Sequence, residues 1–471
     1  MISRRQEFSD SRVVEKLVEV GLGRAQDRLL DLSLMGSEML ADSRAHLLEG
    51  ADLHLKTGVN VHDYVRVFPM AQLVVDIGST KVHAAFLGGD PNAAVSWKPL
   101  FFSRMSNFSE PADGAATTRF ESIVDQLTSM VETRMNHSNY SLSQLESIGI
   151  VWSNAIEGQP FNDRPKNVRG LTGVVPEHRS DAYRKGEWFV QDLKPGTDIG
   201  KTFRSAFEDR GFKGRSFGIA NDVVATQMSC FNAAGALVAA YGANCTEVVD
   251  RSVYVTELGA KLIIPEDYLS HGDYLLKADQ HGGNKVALED LIAGKGIPKI
   301  VEGHIVLLAE GGIKELEPIS EILLRSHKKG STVLTGRDLH SIMSGRLSHI
   351  SELELSNWLQ GRTLESVKEV IHYVCDRAGA LAGMMGYLAL ANQSASGRPL
   401  TLAVDSVLAR NLPSYENAFK RVLRSFMRGQ VSIVFGRPMY STLVDPDMGL
   451  ISAEITVPMQ GMPRLLSAAQ N

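Results

Sequence analysis

Two stretches of the chain share one pattern, in which two short apolar segments flank a turn of small residues. The first stretch covers residues 72–87 and the second covers residues 235–249. In each, the apolar segments have the length of β-strands, and helical patterns follow further along the chain. Strands followed by helices form a sheet that packs against those helices. Two units of this kind leave a cleft between them, and ligands commonly bind in such clefts. The pattern therefore predicts an α/β protein with two halves that face a cleft.

Length and composition limit the classes of protein to consider. The 471 residues suffice for two or three domains, and 44% hydrophobic with 22% charged residues is typical of a soluble globular protein. The net charge of −5 indicates no basic surface, so we expect no nucleic-acid partner. The longest apolar run, 378–391, is too short for a bilayer, so we expect no membrane partner. Three widely spaced cysteines favour a cytoplasmic location: Cys230, Cys245 and Cys375.

An Asn-Asp pair separates a predicted strand, residues 216–220, from the start of a helical pattern. A carboxylate at such a junction is held rigidly near a helix N-terminus, which stabilises its ionised form. Asp222 is therefore a candidate general base. The alternative is that Asn221 and Asp222 only cap the helix, because Asn and Asp are favoured at that position for structural reasons.

The first hairpin carries a polar turn between its two predicted strands. Its backbone N–H groups, two hydroxyls and a cation suit a phosphate, and its carboxylate suits a hydrated Mg²⁺ ion. The residues concerned are Asp76, Gly78, Ser79, Thr80 and Lys81. A plain hairpin is the alternative, because Gly and Ser are common in turns.

Elsewhere the periodicity predicts further helices and strands. We expect amphipathic helices within 13–57 and at 120–135, 198–210, 286–293, 364–391 and 414–427. Further strands are expected at 148–155, 253–260 and 431–435. A strand with a loop is expected at 97–110, a strand with a turn at 400–406, and either a short strand or a turn at 188–192. Residues 158–186 are predicted to form a loop, and residues 311–366 a polar helical insert whose charges face solvent.

The order of these motifs resembles the hexokinase family, within the superfamily of sugar kinases, Hsp70 and actin. Eight short segments carry the resemblance, from about residue 20 to the end of the chain. They resemble the first phosphate loop (76–81), the sugar strand (150–154), the Asn-Asp pair (221–222), the second phosphate loop (241–244), the Glu-x-Gly-Ala motif (256–260), the Phe-Glu-Lys-Met-Ile-Ser-Gly helix (288–294), the Arg-Ala-Ala helix (375–379) and the adenosine loop (404–406 with Pro413).

Several residues depart from the family's pattern. Both nucleotide loops are altered, and the second lacks the usual Gly-Thr-Gly-Thr. The Thr-Lys pair that grips the sugar in the family is replaced here by Phe and Val. The departing positions are Ser79, His83, Asn154, Ala155, Phe189, Val190 and Ser406. The sugar contacts are thus mostly kept, whereas the nucleotide contacts are changed.

The resemblance implies a fold and a set of site residues. The fold is α/β, with two actin-like, ribonuclease H-like domains and a hexokinase-type cleft between them. The large domain would comprise residues 1–72 and 220–446, and the small domain residues 73–219 and 447–471. Asp222 would be the general base. The hexose would be bound by Ser153, Asn154, Asn221, Asn244, Glu257 and Glu289. The nucleotide would be bound by Asp76, Gly78, Ser79, Thr80, Lys81, Gly242, Ala243, Asp405 and Ser406, with Mg²⁺ held by Asp76 through water.

The implied function is that of an ATP-dependent hexokinase, which transfers the γ-phosphoryl group of ATP to the 6-hydroxyl of a hexose such as glucose in the first step of glycolysis. A hexokinase-like sugar-binding protein with weak or no kinase activity is the alternative, because the nucleotide loops are altered. A repressor-type glucokinase is disfavoured, since three isolated cysteines cannot form its zinc site. The sequence leaves open the hexose used and whether the protein is a monomer or a homodimer.

Overall fold

A computed structural model describes the chain over residues 12–46, 53–60, 71–78, 81–88, 96–104, 110–112, 115–160, 169–176, 184–185, 188–190, 193–230, 232–273, 285–327, 332–394, 398–445 and 449–468. Its strands are β1 (His54–Asn60), β2 (Gln72–Ile77), β3 (Lys81–Gly88), β4 (Ser96–Arg104), β5 (Glu110–Ala112), β6 (Ala115–Thr118), β7 (Ser147–Trp152), β8 (Glu157–Pro160), β9 (Arg169–Val174), β10 (Arg184–Lys185), β11 (Trp188–Val190), β12 (Ser216–Asn221), β13 (Gly235–Ala239), β14 (Ala243–Val249), β15 (Ser252–Thr256), β16 (Leu400–Asp405), β17 (Val431–Phe435), β18 (Met439–Asp445) and β19 (Gly449–Ile455).

Its helices are α1 (Arg12–Glu19), α2 (Arg24–Asp27), α3 (Leu29–Ala45), α4 (Phe120–His137), α5 (Ile199–Asp209), α6 (Asp222–Ser229), α7 (Leu258–Lys261), α8 (Leu288–Ile292), α9 (Ile297–Glu310), α10 (Glu317–His327), α11 (Gly336–Ser344), α12 (Leu353–Trp358), α13 (Gly361–Ser394), α14 (Val407–Asn411), α15 (Pro413–Phe426) and α16 (Val457–Ala468).

Two mixed sheets organise the molecule. One has the strand order β1-β15-β14-β13-β16-β17, and the other has the order β4-β3-β2-β7-β12-β9-β8. The two hairpins predicted from the sequence are confirmed, as β2 with β3 and β13 with β14. In the seven-stranded sheet β2, β7 and β12 are parallel, and their register aligns Ile77, Trp152 and Asn221. The carboxyl ends of these three strands therefore meet at one edge.

Alternate residues of each strand lie on opposite faces, so each sheet packs between two helical layers. Leu73 and Val75 of β2 pack with α4 and α5, whereas Val74 belongs to the cluster that contains α6 and α16. In the other sheet Leu237 packs with α13 and α15, whereas Val238 faces α6 and α16. Helices α6 and α16 thus lie between the two sheets. This is the predicted arrangement of two actin-like α/β units.

The expected N-terminal helices form as α1 to α3, but the prediction that helix continues to residue 57 is wrong. Residues 54–60 form β1, which pairs antiparallel with β15 and aligns Leu55 with Val255. Both Leu55 and Val59 are buried against the inner helical layer. The partner strand lies far along the chain, so the local pattern of β1 carried no sign of this pairing.

The prediction of a loop over residues 158–186 is also wrong where this range is described. β8 pairs antiparallel with β9, and β9 runs parallel to β12. Gly170 has a φ of +149°, and a Cβ atom there would lie 1.7 Å from the Phe217 carbonyl oxygen. Glycine therefore permits the close pairing of these strands, although it reads as a loop residue in the sequence.

Helix α16 was not predicted, because prolines and a glycine interrupt its pattern. Pro463 lies within the helix. A Cβ atom on Gly461 would lie 1.8 Å from the Ala225 carbonyl oxygen of α6. The small residue thus allows α16 to cross α6 at close range, and packing between the sheets stabilises the helix.

The segment 311–366 forms helices as expected, but it is more than a solvated insert. Its apolar side chains belong to the core of the six-stranded sheet, among them Ile313, Leu316, Ile319, Ile322, Leu323, Leu339 and Ile342. The apolar run 378–391 lies within α13, where Gly379 and Gly383 face carbonyl groups of α15 rather than the sheet. Within the described residues, no helix combines the length and apolarity needed to cross a membrane.

Candidate active site

Asn221 ends β12 and Asp222 begins α6, so the predicted strand-to-helix junction is present. The Asn221 side chain accepts a hydrogen bond from the Val223 N–H at 3.0 Å, which makes it the N-cap of α6. Its amide nitrogen donates to the carbonyl oxygens of Asn154 at 3.1 Å and Trp152 at 3.5 Å. Asn221 therefore caps the helix and joins β12 to β7, while Asp222 is half-buried in the first helical turn.

The turn of the first hairpin closes tightly. The Gly78 N–H donates to the Lys81 carbonyl at 2.9 Å, across a turn whose central residues, Ser79 and Thr80, lie outside the described part of the chain. The Gly78 amide is thus engaged within the turn. Lys81 is exposed at the start of β3.

Asp76 lies near the end of β2 and is 8% exposed. Its Oδ2 accepts a hydrogen bond of 2.6 Å from the hydroxyl of Thr456, the residue that precedes α16. The neighbouring Ser153 hydroxyl donates to the Ile77 carbonyl at 2.8 Å. These bonds tie β2 to β7 and to the start of α16. Asp76, Ser153 and Asn221 therefore share one edge of the seven-stranded sheet.

The hexose residues predicted downstream lie beside the second hairpin. Asn244 donates from its side-chain nitrogen to Glu257 Oε1 at 3.2 Å, and Glu257 is 9% exposed. Glu289, in the first turn of α8, accepts a hydrogen bond from the Ala243 N–H at 3.3 Å. Because Ala243 and Asn244 are adjacent, the hairpin holds both carboxylates close to its turn.

Lys295 completes this group, although the sequence did not single it out. Its Nζ lies 2.6 Å from Glu289 Oε1 and 3.2 Å from Asp290 Oδ1. Burial acts to lower the pKa of Lys295, but the charges of Glu289 and Asp290 outweigh it and raise that pKa. A Cβ atom on Gly242 would lie 3.0 Å from Glu289 Oε2, so the turn, the carboxylate and the lysine are in mutual contact.

The adenosine-loop candidates follow β16. Asp405 Oδ1 pairs with the Arg410 guanidinium at 2.6 Å. Burial raises the pKa of Asp405, and Arg410 opposes this rise. The Ser406 hydroxyl accepts a hydrogen bond from the Ala409 N–H at 3.1 Å and caps α14, with 1% of the residue exposed. Asp405 and Ser406 are thus both bonded to residues of the segment that follows β16.

Charged groups from both sheets meet near the first hairpin. Burial lowers the pKa of His83 to about 4, and the positive charge of Lys81 acts in the same direction. Burial raises the pKa of Glu454, with Lys81 and Arg410 opposing and Asp405 reinforcing the rise. Lys81 of β3, Glu454 of β19 and the Asp405–Arg410 pair therefore lie within electrostatic reach of one another.

The predicted residues thus form three groups. One lies at the edge of the seven-stranded sheet and comprises Asp76, Gly78, Ser153, Asn154, Asn221 and Asp222. The second surrounds the second hairpin and comprises Gly242, Ala243, Asn244, Glu257 and Glu289, and the third is Asp405 with Ser406. β13 links the last two, because Val238 aligns with Asn244 on one side and Asp405 on the other. Among the described residues, no set of three or more His, Cys, Asp or Glu side chains is arranged to hold a metal ion.

Two crystal structures of hexokinases resemble this architecture over nearly its whole length. The hexokinase of Schistosoma mansoni in complex with glucose superposes with a TM-score of 0.61 at 16% sequence identity, covering 91% of this chain and 96% of that enzyme. A second hexokinase structure gives a TM-score of 0.65 at 15% identity, covering 97% of this chain and all of that protein. No family model and no curated protein matches the sequence. The chain therefore has the hexokinase fold.

Proposed function

We propose that this chain is a divergent member of the hexokinase family and transfers the γ-phosphoryl group of ATP to the 6-hydroxyl of a hexose such as glucose. Asp222 is its general base. The reaction would begin glycolysis in the cytoplasm. The cleft would separate a small domain, residues 73–219 with 447–471, from a large domain, residues 1–72 with 220–446.

The observation that carries the proposal is the edge at which β2, β7 and β12 end together. It brings a phosphate-type hairpin, the polar end of a strand and an Asn-Asp pair side by side. Asp222 follows a capped strand end and sits in the first turn of α6, where the helix dipole stabilises a carboxylate. The hydrogen bonds of Asn221 to β7 fix the position of this turn.

Asp222 would accept the proton of the hexose hydroxyl as its oxygen attacks the γ-phosphorus. The bond between that phosphorus and the bridging oxygen breaks, and ADP leaves with the bonding electrons. A positioned base of this kind contributes about 10²- to 10⁴-fold to the rate. Most of the remaining acceleration in phosphoryl transfer comes from positioning and charge neutralisation.

The hexose hydroxyls need paired donors and acceptors, which the group beside the second hairpin supplies. Glu257 and Glu289 are acceptors, and the Asn244 amide offers both a donor and an acceptor. The hydrogen bond between Asn244 and Glu257 and the contact of Glu289 with Ala243 hold these groups in place before a sugar arrives. Ser153 and Asn154 would face the sugar from the opposite sheet.

For the phosphate chain, the exposed Lys81 would supply positive charge. A magnesium ion in such sites keeps several water ligands and takes the rest from phosphates and one or two carboxylates. Asp76 fits a role through water, because Thr456 already engages one of its oxygens. When bound with ATP, the ion neutralises charge on the transferring group.

A specific observation also favours the second candidate, a sugar-binding protein with weak kinase activity. The groups predicted to bind nucleotide are largely engaged within the protein, namely the Gly78 amide, the Ala243 amide, the Asp405 carboxylate and the Ser406 hydroxyl. The predicted hexose group is preorganised in the same structure.

A coupled assay with ATP, Mg²⁺ and a panel of hexoses tests the proposal, alongside calorimetric titration with glucose. The expected result is turnover in the wild-type protein that Asp222→Ala lowers by about 10²- to 10⁴-fold, with glucose binding retained. Glucose binding without turnover in the wild-type protein would favour the sensor. Absence of both would refute the proposed function.

A further inference from the structure

We propose that Lys295 is a positioning residue of the hexose site, which holds the Glu289 side chain oriented against the second hairpin. This inference rests on the proposed function of the same site. Lys295 departs from the segment's apolar pattern and follows directly after Gly294, outside the predicted set of binding residues.

The backbone fixes Lys295 beside the hairpin turn. The Gly294 N–H donates to the Ala240 carbonyl at 2.6 Å, and the Lys295 N–H donates to the Tyr241 carbonyl at 3.2 Å. A Cβ atom on Gly296 would lie 1.7 Å from the Asp290 carbonyl oxygen, so the chain turns back tightly on α8. The lysine is therefore anchored to the hairpin by its backbone and directed to α8 by this turn.

The side chain of Lys295 then bridges two carboxylates that are adjacent in sequence. Its Nζ lies 2.6 Å from Glu289 Oε1 and 3.2 Å from Asp290 Oδ1. Asp290 is already engaged with its own helix, because its Oδ2 accepts the Ala287 N–H at 2.9 Å. Glu289, by contrast, reaches out of the helix to the hairpin, where its Oε2 meets the Ala243 N–H.

Without the lysine, two like charges one residue apart would repel each other in a half-buried setting. Within the described part of the chain, the 3.3 Å contact with Ala243 would be the one hydrogen bond left to define the orientation of Glu289. A carboxylate that must accept hydroxyl hydrogen bonds from a sugar loses affinity when its rotamer is free, because binding must then order it. Lys295 thus acts on the sugar through Glu289 and takes no direct part in the phosphoryl transfer.

The test compares Lys295→Met, Lys295→Arg and a control, Lys314→Met, at an exposed lysine outside the site. Glucose dissociation constants are measured by calorimetry without nucleotide, and KM for ATP is measured at saturating hexose. We expect Lys295→Met to weaken glucose binding about 10- to 100-fold, the scale of losing a hydrogen bond to a charged group. Lys295→Arg should recover most of this loss, and the KM for ATP should stay within about threefold.

A double-mutant cycle with Glu289→Gln distinguishes an effect through Glu289 from a general folding defect. If Lys295 acts through Glu289, the two losses of glucose affinity are strongly non-additive. Additive losses, or an unchanged glucose constant in Lys295→Met, would overturn the inference. A raised KM for ATP with unchanged glucose binding would instead make Lys295 a contact of the phosphoryl donor, and also overturn it. If the wild-type protein binds no hexose, the proposed function fails first, which is a distinct result.

Discussion

The bond between Thr456 and Asp76 offers the sharpest test of how the first hairpin is held. Replacing Thr456 with Val keeps the volume of the side chain, so no cavity opens, but it removes the hydroxyl that donates to Asp76 Oδ2 at 2.6 Å. Asp76 is 8% exposed, and a hydrogen bond to a charged group contributes about 1.5–3 kcal/mol. The same hydroxyl accepts a long, 3.4 Å bond from the Met459 N–H, and this cap adds about 0.5 kcal/mol. We therefore expect Thr456→Val to lower the free energy of unfolding by about 2–3.5 kcal/mol.

Urea unfolding followed by tryptophan fluorescence measures this change, since Trp152 is fully buried next to the affected edge. Thr456→Ser is the matched control, because it retains the hydroxyl and loses only a methyl group. It should stay within about 1 kcal/mol of the wild-type protein. If the Val and Ser variants unfold at the same urea concentration, the Thr456–Asp76 bond does not stabilise this edge and the reasoning is wrong.

The remaining predictions concern the base, a buried ion pair and acid stability. Asp222→Ala should lower kcat by about 10²- to 10⁴-fold while the dissociation constant for glucose changes little, as measured by the coupled assay and calorimetry. Arg377→Met should lower the free energy of unfolding, measured in urea, by about 3–5 kcal/mol. It leaves the fully buried Asp273 carboxylate without the guanidinium that donates to its two oxygens at 2.8 and 2.6 Å. Burial lowers the pKa of His304 to about 3 and that of His83 to about 4. Unfolded histidine has a pKa near 6.5, so the unfolded chain takes up these protons first, and stability present above that pH is lost as the pH falls towards the folded values. Between pH 7 and pH 5 each histidine should account for a loss of about 2 kcal/mol, so the His304→Gln variant should lose about 2 kcal/mol less than the wild-type protein over this range; an equal loss in the two proteins would contradict the expectation.

Elements with strong local signals could be predicted closely. Helix α5 begins after Asp198, whose carboxylate accepts the Lys201 N–H at 2.8 Å, and it stops before Gly211, which has a φ of +98°. Both ends of the helix depend on residues within one turn, so both can be predicted from the sequence alone. The two hairpins are equally local, since alternation and a small-residue turn specify them.

Elements that depend on distant partners could not be predicted. β1 and β9 become strands because β15 and β12 offer free edges, and α16 is a helix because the inner layer between the sheets accepts it. Their own residues include the glycines and prolines that normally mark loops. Gly170 and Gly461 lie within these elements because the absence of a side chain allows a neighbouring segment to approach closely.

The candidate site divides in the same way. The order of the motifs predicts Asp222, Asn244, Glu257 and Glu289 as site residues, because strand ends and helix starts bring side chains to the cleft in folds of this class. No sequence pattern pointed to Thr456 or Lys295. Thr456 bonds a residue far away in the sequence, Asp76, and Lys295 meets Glu289 because the chain turns back after α8.

The sequence by itself determined the alternation of strands and helices, the two hairpins and the position of the Asn-Asp junction, because these follow from local periodicity and capping. Only the tertiary structure decided which polar groups are already satisfied by neighbours. It joins the Ala243 amide to Glu289, Asp76 to Thr456 and Asp273 to Arg377. The physical reason is that a hydrogen bond or ion pair between remote residues depends on how two sheets and the helices between them pack, and no short stretch of sequence contains that information.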